Sequence, residues 1–233
     1  MELFEDFKIR FINNFVTDNR WQYLTRGLAV TMQITFFALL IGIVLGFLIA
    51  VVRTTHDKTG KFKVLNVITK GYITIIRGTP VVVQLLIIYY VVFASVAVDK
   101  TFAAVIAFGL NSAAYVAEIV RSGIMSVDIG QTEAGRSLGF TYGKTMTYIV
   151  LPQAFKNILP ALGNEFIVLV KETSIAGYIA IADLTKGGEY IRSRTYDAFM
   201  PLIAVALIYL GIVMFLTYLV NKLEKRLSRS DRS

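Results

Sequence analysis

Hydrophobic residues in this chain are gathered into long, almost uncharged runs, and short polar segments rich in Lys, Arg and Gly separate these runs. A helix needs about 20 mainly apolar residues to cross the hydrocarbon core of a bilayer, and the runs reach that length. The pattern therefore predicts an all-α polytopic membrane protein with about five transmembrane helices. The predicted spans cover about residues 27–52, 64–98, 101–124, 152–181 and 198–220.

The residues before the first run follow a different pattern. Phe4, Phe7, Phe11 and Phe15 share one helical stripe, and polar side chains occupy other positions. This is typical of an amphipathic helix that lies in the membrane interface, although a helix packed against its own protein would show the same pattern. The predicted division of the chain is an interfacial segment at 1–26, a transmembrane domain at 27–225 and a tail at 226–233.

Prolines mark the predicted interruptions of these runs. The second run is too long for one straight helix, and Gly78 and Pro80 interrupt it. Because proline has no N–H to donate, a break at membrane depth is expected there. Pro152 is predicted to open the fourth span, and Pro160 to interrupt it. Polar loops are expected at 53–63 and 183–197.

Composition supports the membrane class and gives the orientation. Hydrophobic residues make up 55% of the 233 residues, against about 45–50% in soluble domains. The net charge of +8 is best interpreted as cytoplasmic loops that face anionic lipid, and no nucleic-acid partner is predicted. Lys and Arg follow the first run and recur near 128–151 and in the tail. The N-terminus is therefore predicted outside and the C-terminus in the cytoplasm.

Several classes of chemistry are excluded by residue content. The chain has no Cys and only one His, His56, so disulfides, thiol catalysis and a His cluster are not expected. It also lacks the G-x-x-x-x-G-K-[ST] phosphate loop, so energy for any transport must come from a partner or an ion gradient. No catalytic residue, metal site or cofactor is predicted.

A segment between the third and fourth runs cannot cross a bilayer. Its sequence at 133–152 is EAGRSLGFTYGKTMTYIVLP. Glycines interrupt it and its basic residues suit the water phase, so it predicts two short helices joined by a turn near Gly139. With its flanks, this hairpin covers about 128–151.

The hairpin resembles the cytoplasmic signature of ABC importer permeases, which is Glu-Ala-Ala, three residues, Gly, nine residues, Ile, one residue and Leu-Pro. The matching residues here are Glu133-Ala134-Gly135, Gly139, Ile149 and Leu151-Pro152. Gly135 replaces the second Ala, which should loosen the helix slightly. The segment RGTPVVVQL and the run that begins LPQAFKNILPALGNEF resemble the polar amino-acid branch of that family, which includes histidine, glutamine and arginine permeases.

The resemblance implies a type I ABC importer permease fold in the cytoplasmic (inner) membrane. Two permease subunits, identical or paralogous, would pair, and each would dock its hairpin on an ABC ATP-binding subunit that binds ATP and Mg. An extracytoplasmic substrate-binding protein is implied by the family alone. The predicted coupling residues are Glu133, Ala134, Gly135, Arg136, Ser137 and Gly139.

The polar groups inside the spans are the candidates for a substrate site. A charge there costs at least about 2.5–3.5 kcal/mol on insertion scales and usually faces a cavity or a partner. We expect Glu165, with Glu118, to receive the cationic side chain of arginine, lysine or histidine. The predicted substrate-binding residues are Thr79, Gln84, Asn111, Tyr115, Glu118, Asn164 and Glu165.

Other interpretations of these carboxylates stay open. Glu118 could form an ion pair within its helix with Arg121, three residues later. Glu165 and Glu172 could be paired with Lys171 or Arg77. At the level of function, the alternatives are an ion-gradient-driven secondary transporter, a membrane-embedded enzyme and a structural subunit that pairs with a related permease. No H-E-x-x-H or nucleophile-elbow motif favours an enzyme.

Overall fold

The computed structural model describes residues 2–229, so positions 230–233 of the predicted tail lie outside the described residues. Within the described range all regular structure is helical, which confirms the all-α prediction. The α-helices are α1 (Glu2–Phe11), α2 (Trp21–Thr59), α3 (Lys63–Gly78), α4 (Val81–Ile87), α5 (Lys100–Met125), α6 (Ile129–Ser137), α7 (Tyr142–Thr145), α8 (Leu151–Glu172), α9 (Leu184–Thr195) and α10 (Phe199–Arg229). Short π segments at Ile12–Val16, Ile88–Val92 and Met146–Val150 extend α1, extend α4 and lead into α8.

The long helices account for most of the predicted spans. By length and composition α2, α5 and α10 could each cross a bilayer. Lys63–Gly78 and Val81–Val92 meet the same criteria together, with a bend of 110° between them. The predicted break at Pro80 is therefore present. Among the described helices, α8 does not meet these criteria, and it carries four charged residues.

Two predicted loops are largely helical. The segment at 53–63 was expected to be a loop, but α2 continues to Thr59 and leaves only a short connection before Lys63. The segment at 183–197 contains α9, because the Asp183 side chain caps the helix by accepting the N–H groups of Thr185 and Lys186 at 3.1 Å each. The segment is polar and was therefore expected to be a loop, but the cap and the packing of its buried residues stabilise a helix.

Two predictions from proline were wrong. Pro152 does not open a helix, because α8 begins at Leu151 and follows directly on the π segment Met146–Val150. Pro160 lies inside α8 without ending it. Within a membrane helix, local π turns and neighbouring helices can compensate for the N–H that a proline lacks, and Pro152 follows such a π segment.

The chain forms two compact units. The first unit contains the residues up to Ala38, Val81–Phe108 and Val168–Phe215. Its core has Leu24, Leu184, Ile191 and Val205 at its centre. The second unit contains Leu39–Pro80, Gly109–Ile167 and the residues from Leu216 onward. Its core joins α2, α5 and α8 and consists of Ala50, Val116, Val120, Ile124, Val150, Ala154 and Ile158.

The N-terminal helix is tied to the first unit by a polar network. Asn14 is fully buried, and its amide donates to Asp197 Oδ2 at 2.9 Å. Arg10 donates to both carboxylate oxygens of Asp197, at 3.0 and 3.2 Å. Phe4 and Phe7 remain exposed. The predicted helix is present, and its location in the membrane interface stays a prediction.

Candidate functional site

The second unit carries the hairpin that the sequence predicted. Asp128 caps α6 by accepting the Gly130 N–H at 2.6 Å. Gly139 then has a φ of +82°, a left-handed conformation that glycine adopts without strain. Thr141 begins α7 and accepts the Lys144 N–H through its hydroxyl, at 3.4 Å. The short helix α6 and the turn at Gly139 are therefore confirmed. The second helix of the predicted hairpin is not separate, because α7 continues through the π segment Met146–Val150 into α8.

Gly135 differs from the other predicted coupling residues. It is buried, and a Cβ at this position would lie 2.8 Å from both Ile149 Cδ1 and Thr145 Cγ2. The remaining five residues, Glu133, Ala134, Arg136, Ser137 and Gly139, are exposed. Gly135 therefore permits the close packing of α6 on the end of α7 and on the π segment that follows it. That role could not be inferred from the spacing of the signature.

A cavity of about 380 Å³ lies elsewhere in the second unit, between α5 and α8. Three of the predicted substrate residues, Tyr115, Glu118 and Glu165, line it. The other residues that line it are Arg77, Ile119, Ser122, Gly123, Ser126, Asn157 and Ala161. The cavity thus contains one cation and two carboxylates in a membrane-embedded helix bundle.

Glu118 is held by two arginines. Arg53, from α2, forms an ion pair with Glu118 Oε1. Arg121, one helical turn after Glu118, donates to Oε2 through Nη2 at 3.2 Å. The ion pair with Arg121 that the spacing allowed is therefore present. The second partner was missed, because Arg53 is 65 residues away along the chain.

Glu165 has a more enclosed environment. Glu165 is only 7% exposed. Its Oε1 accepts a hydrogen bond from Ser112 Oγ at 2.8 Å. Gly42 lets α2 approach closely at this point, since a Cβ there would lie 2.7 Å from Ser112 Oγ. The hydroxyl of Ser112 therefore positions the carboxylate at the cavity.

The remaining cation is Arg77, in the last turn of α3. Its guanidinium lies over the ring of Tyr115, at 5.2 Å from the ring centroid. This distance is within the range of a cation–π interaction. Arg77 was considered in the sequence only as a structural partner for a carboxylate.

The other predicted substrate residues do not line this cavity, within the part of the chain that the structure describes. Thr79 is exposed and its hydroxyl donates to the Ile75 carbonyl at 2.8 Å. Asn164 is exposed on α8, and Asn111 is buried within α5. Gln84 is buried in the first unit. A role for these four residues in substrate binding stays a prediction.

The first unit has a polar pocket of its own, of about 310 Å³. Asp183 lines it and is fully buried. Burial raises the pKa of the Asp183 carboxyl to about 6, although the N–H groups of Lys186 and Thr185 that it accepts act in the opposite direction. A hydrogen bond to Glu189 raises the pKa of Lys186 in the same pocket.

Comparisons with known proteins agree with this arrangement. The family model for the inner membrane component of binding-protein-dependent transport systems matches residues 42–229. The arginine transport system permease protein ArtQ of Bacillus subtilis (strain 168) is 39% identical over 90% of this chain and 94% of its own length. The L-cystine transport system permease protein TcyB of the same organism is 38% identical over 93% and 91%. The crystal structure of an amino acid ABC transporter with histidines superposes with a TM-score of 0.83 at 42% identity, over 91% of this chain and 98% of that one.

The chain therefore belongs to the family of binding-protein-dependent transport system inner membrane components. The prediction of an ABC importer permease in the inner membrane is confirmed at this level, and the chain is a transport subunit. Membership of the family implies an ATP-binding subunit as partner. The comparisons give no support to the ion-gradient-driven alternative.

Proposed function

We propose that this chain is the permease subunit of an ABC importer that carries polar, and specifically basic, amino acids across the inner membrane. The observation that carries this proposal is the cavity in the second unit, which Glu165 of α8 lines with a carboxylate that accepts the Ser112 hydroxyl. An ionisable group inside a membrane helix bundle usually faces a cavity or a partner and often marks a substrate pathway. The guanidinium or ammonium of a basic amino acid is the kind of group that such a carboxylate attracts.

The state of the second carboxylate supports Glu165 as the specificity group. Glu118 forms ion pairs with Arg53 and Arg121, and these pairs hold both of its carboxylate oxygens in the wall of the cavity. We therefore assign recognition of a cationic side chain to Glu165, which lines the same cavity on α8. The name of the relative ArtQ, which refers to arginine, points the same way, whereas that of TcyB refers to cystine.

The exposed hairpin supports coupling to an ATP-binding subunit that hydrolyses ATP. Glu133, Ala134, Arg136 and Ser137 leave a face of α6 open to the water phase, and Gly139 leaves its turn open. Closure of two ATP-binding subunits would move a pair of such hairpins and rock the attached spans. A second permease subunit and an extracytoplasmic binding protein complete the proposed assembly, with the N-terminus outside and the C-terminus in the cytoplasm.

Uptake into proteoliposomes tests the proposal. The chain would be reconstituted with its co-expressed ATP-binding subunit, with its binding protein supplied outside and labelled amino acids as substrates. ATP inside, an ion gradient without ATP, and neither would be compared. We expect uptake of arginine, lysine or histidine that requires ATP; uptake driven by the gradient alone would contradict the proposal.

Glu165→Gln separates the specificity role from a structural one. This change keeps the shape of the side chain and removes its charge, so uptake of basic amino acids should fall by about 10-fold or more while a neutral substrate is less affected. Glu189→Gln is the matched control, because Glu189 belongs to the first unit and does not line the cavity. An equal loss of uptake for every substrate would favour a structural role for Glu165.

A further inference from the structure

A cluster of cations lies near the C-terminal end of α10. Lys222 and Arg226 are both exposed, and with Tyr218, Asn221 and Lys225 they line an open cavity of about 600 Å³. None of these five residues is acidic. In the part of the chain that the structure describes, no carboxylate forms an ion pair with Lys222 or Arg226, whereas Lys225 has a further interaction. Lys222 and Arg226 are therefore the cations that a ligand in this cavity would meet.

The packing of α10 explains why this side of the helix is open. Val220 is buried, and a Cβ at Gly163 of α8 would lie 2.6 Å from Val220 Cγ2, so α10 packs on α8 through Val220. A helix turns by about 100° per residue, so Tyr218 and Lys222, each two positions from Val220, lie on the side away from α8. Arg226 follows Lys222 by four residues and shares its face. The two cations therefore face the surroundings of the chain.

The position of the cluster along α10 indicates what those surroundings are. By length and composition α10 could cross a bilayer, and few residues of its apolar segment are buried. Tyr218 and Leu219, about one turn before the cations, are exposed. Tyrosine is enriched at the boundary between the hydrocarbon core and the headgroups of a membrane. The cations thus follow the apolar segment at the level of the lipid headgroups.

The chemistry of the cavity indicates an anionic headgroup. Lys and Arg hold phosphate oxygens through charge-assisted hydrogen bonds. A phospholipid places its acyl chains against the apolar part of a helix and its phosphate beside cations that follow. A soluble phosphate would meet the cations but would leave the exposed surface of Tyr218 and Leu219 uncovered. The observations therefore favour a lipid.

We propose that Lys222 and Arg226 form a binding site for the phosphate headgroup of an anionic phospholipid such as phosphatidylglycerol. Asn221 adds an amide donor, and Tyr218 borders the site on the side of the acyl chains. Of the described residues, none lines both this cavity and the one that contains Glu165. The lipid site is therefore independent of the transported substrate.

Lipid retention by the purified complex tests this proposal. The chain with its ATP-binding subunit, in a neutral detergent, would be titrated with phosphatidylglycerol or with zwitterionic phosphatidylcholine, and native mass spectrometry would count the lipids retained. Each cation near the membrane surface contributes about fivefold to the affinity for an anionic lipid. Lys222→Gln/Arg226→Gln should therefore bind phosphatidylglycerol about 30-fold more weakly at this site and retain one molecule fewer per copy of the chain. Retention of phosphatidylcholine should not change.

Matched variants separate a defined site from general attraction. Lys222→Arg/Arg226→Lys keeps both charges and should retain the lipid. Lys61→Gln/Lys63→Gln removes two exposed cations on the same predicted side of the membrane and should not change the count. Salt at about 1 M should release the lipid from the wild type, because it screens the attraction.

Several results would overturn the proposal. The first is equal retention of both lipids by the wild type, and the second is loss of both lipids in Lys222→Gln/Arg226→Gln. An equal loss of phosphatidylglycerol in Lys61→Gln/Lys63→Gln would show diffuse attraction only, and displacement of the lipid by millimolar ATP or inorganic phosphate would show a site for soluble phosphate. If Lys222→Gln/Arg226→Gln does not assemble, the single variant Lys222→Gln and the salt series decide, and a count that neither lowers would contradict the site.

Discussion

Arg53, close to the end of α2, forms an ion pair with Glu118 in α5. Their side chains are 13% and 24% exposed, so the pair is shielded from most of the solvent. Glu118 also binds Arg121, which makes a three-membered network with a net positive charge. The network joins two helices of the second unit at the wall of the cavity, so we assign Glu118 to the structure of the wall before any role in binding.

The first prediction concerns this network. Glu118→Gln leaves two arginines facing each other without a carboxylate, and removing one partner of a buried pair is strongly destabilising. Since the pair is partly exposed, we expect a loss of about 1–3 kcal/mol. Thermal denaturation of the complex would measure it. In the double variant with Arg53→Gln the loss should be smaller than the sum of the single losses; additive losses would contradict the coupling.

The second prediction concerns the packing of the hairpin. Gly135→Val places a branched side chain against Thr145 and Ile149, where a Cβ already lies 2.8 Å from both side chains. Overpacking of this kind costs about 1–3 kcal/mol and should loosen α6, which hydrogen exchange of the hairpin would detect. Gly143→Val is the matched control, because nothing lies within 4 Å of a Cβ at Gly143. Similar exchange in both variants would show that the close packing is unimportant.

The third prediction separates backbone strain from docking at the turn. A Cβ at Gly139 meets nothing within 4 Å, but its φ of +82° disfavours any other residue by about 1 kcal/mol. Gly139→Ala should therefore cost little stability and keep uptake coupled to ATP hydrolysis. Gly139→Trp adds bulk on the exposed side, so the ATPase should hydrolyse ATP without uptake. Coupling and assembly that are both unchanged in Gly139→Trp would contradict the docking role of the turn.

The sequence predicted what local pattern controls. The third span was placed at about 101–124 and α5 is Lys100–Met125, because a long apolar run has clear ends. The turn at Gly139 followed from fixed spacings in the signature. By contrast, α9 was missed, because the cap at Asp183 is a short local signal within a polar segment and the packing of the helix depends on tertiary contacts. Gly187 lies so close to α2 that a Cβ would be 2.4 Å from the Tyr23 carbonyl oxygen, and no periodicity reports such an approach.

Only part of the candidate site could be predicted, because local spacing shows which residues share a helix face but not which helices pack together. Tyr115 and Glu118 share a helical face, so their common location at the cavity followed from their spacing. The pairing of Arg53 with Glu118 depends on how α2 packs against α5, so the sequence pattern could not predict it. The position of the Arg77 guanidinium over the Tyr115 ring likewise depends on the packing of α3 against α5 and could not be predicted from the sequence.

The last prediction concerns Asp183, which is fully buried between the last two predicted spans. Burial raises its pKa from 3.8 to about 6, although hydrogen bonds from the backbone of Lys186 and Thr185 oppose the shift. The folded state therefore favours the neutral carboxyl. Below about pH 3.8 the carboxyl is neutral in both the folded and the unfolded state, and the free energy of unfolding is highest with respect to this group. As the pH rises from about 3.8 through about 6, the unfolded state ionises more readily than the folded state, so the free energy of unfolding falls.

Thermal midpoints of the complex between pH 4 and pH 7 would test this shift. The wild type should lose stability relative to Asp183→Asn as the pH rises, by up to about 3 kcal/mol, because the variant keeps an acceptor for the helix cap but cannot ionise. Asp197→Asn is the control. Burial acts to raise the pKa of Asp197, but hydrogen bonds from Asn14 and Arg10 outweigh it and lower the pKa below its usual value of 3.8. Because its pKa is lowered, Asp197 gains less charge over this range than an ordinary aspartate would, so its replacement should change the slope little. Parallel curves for the wild type and Asp183→Asn would show that Asp183 is ionised throughout.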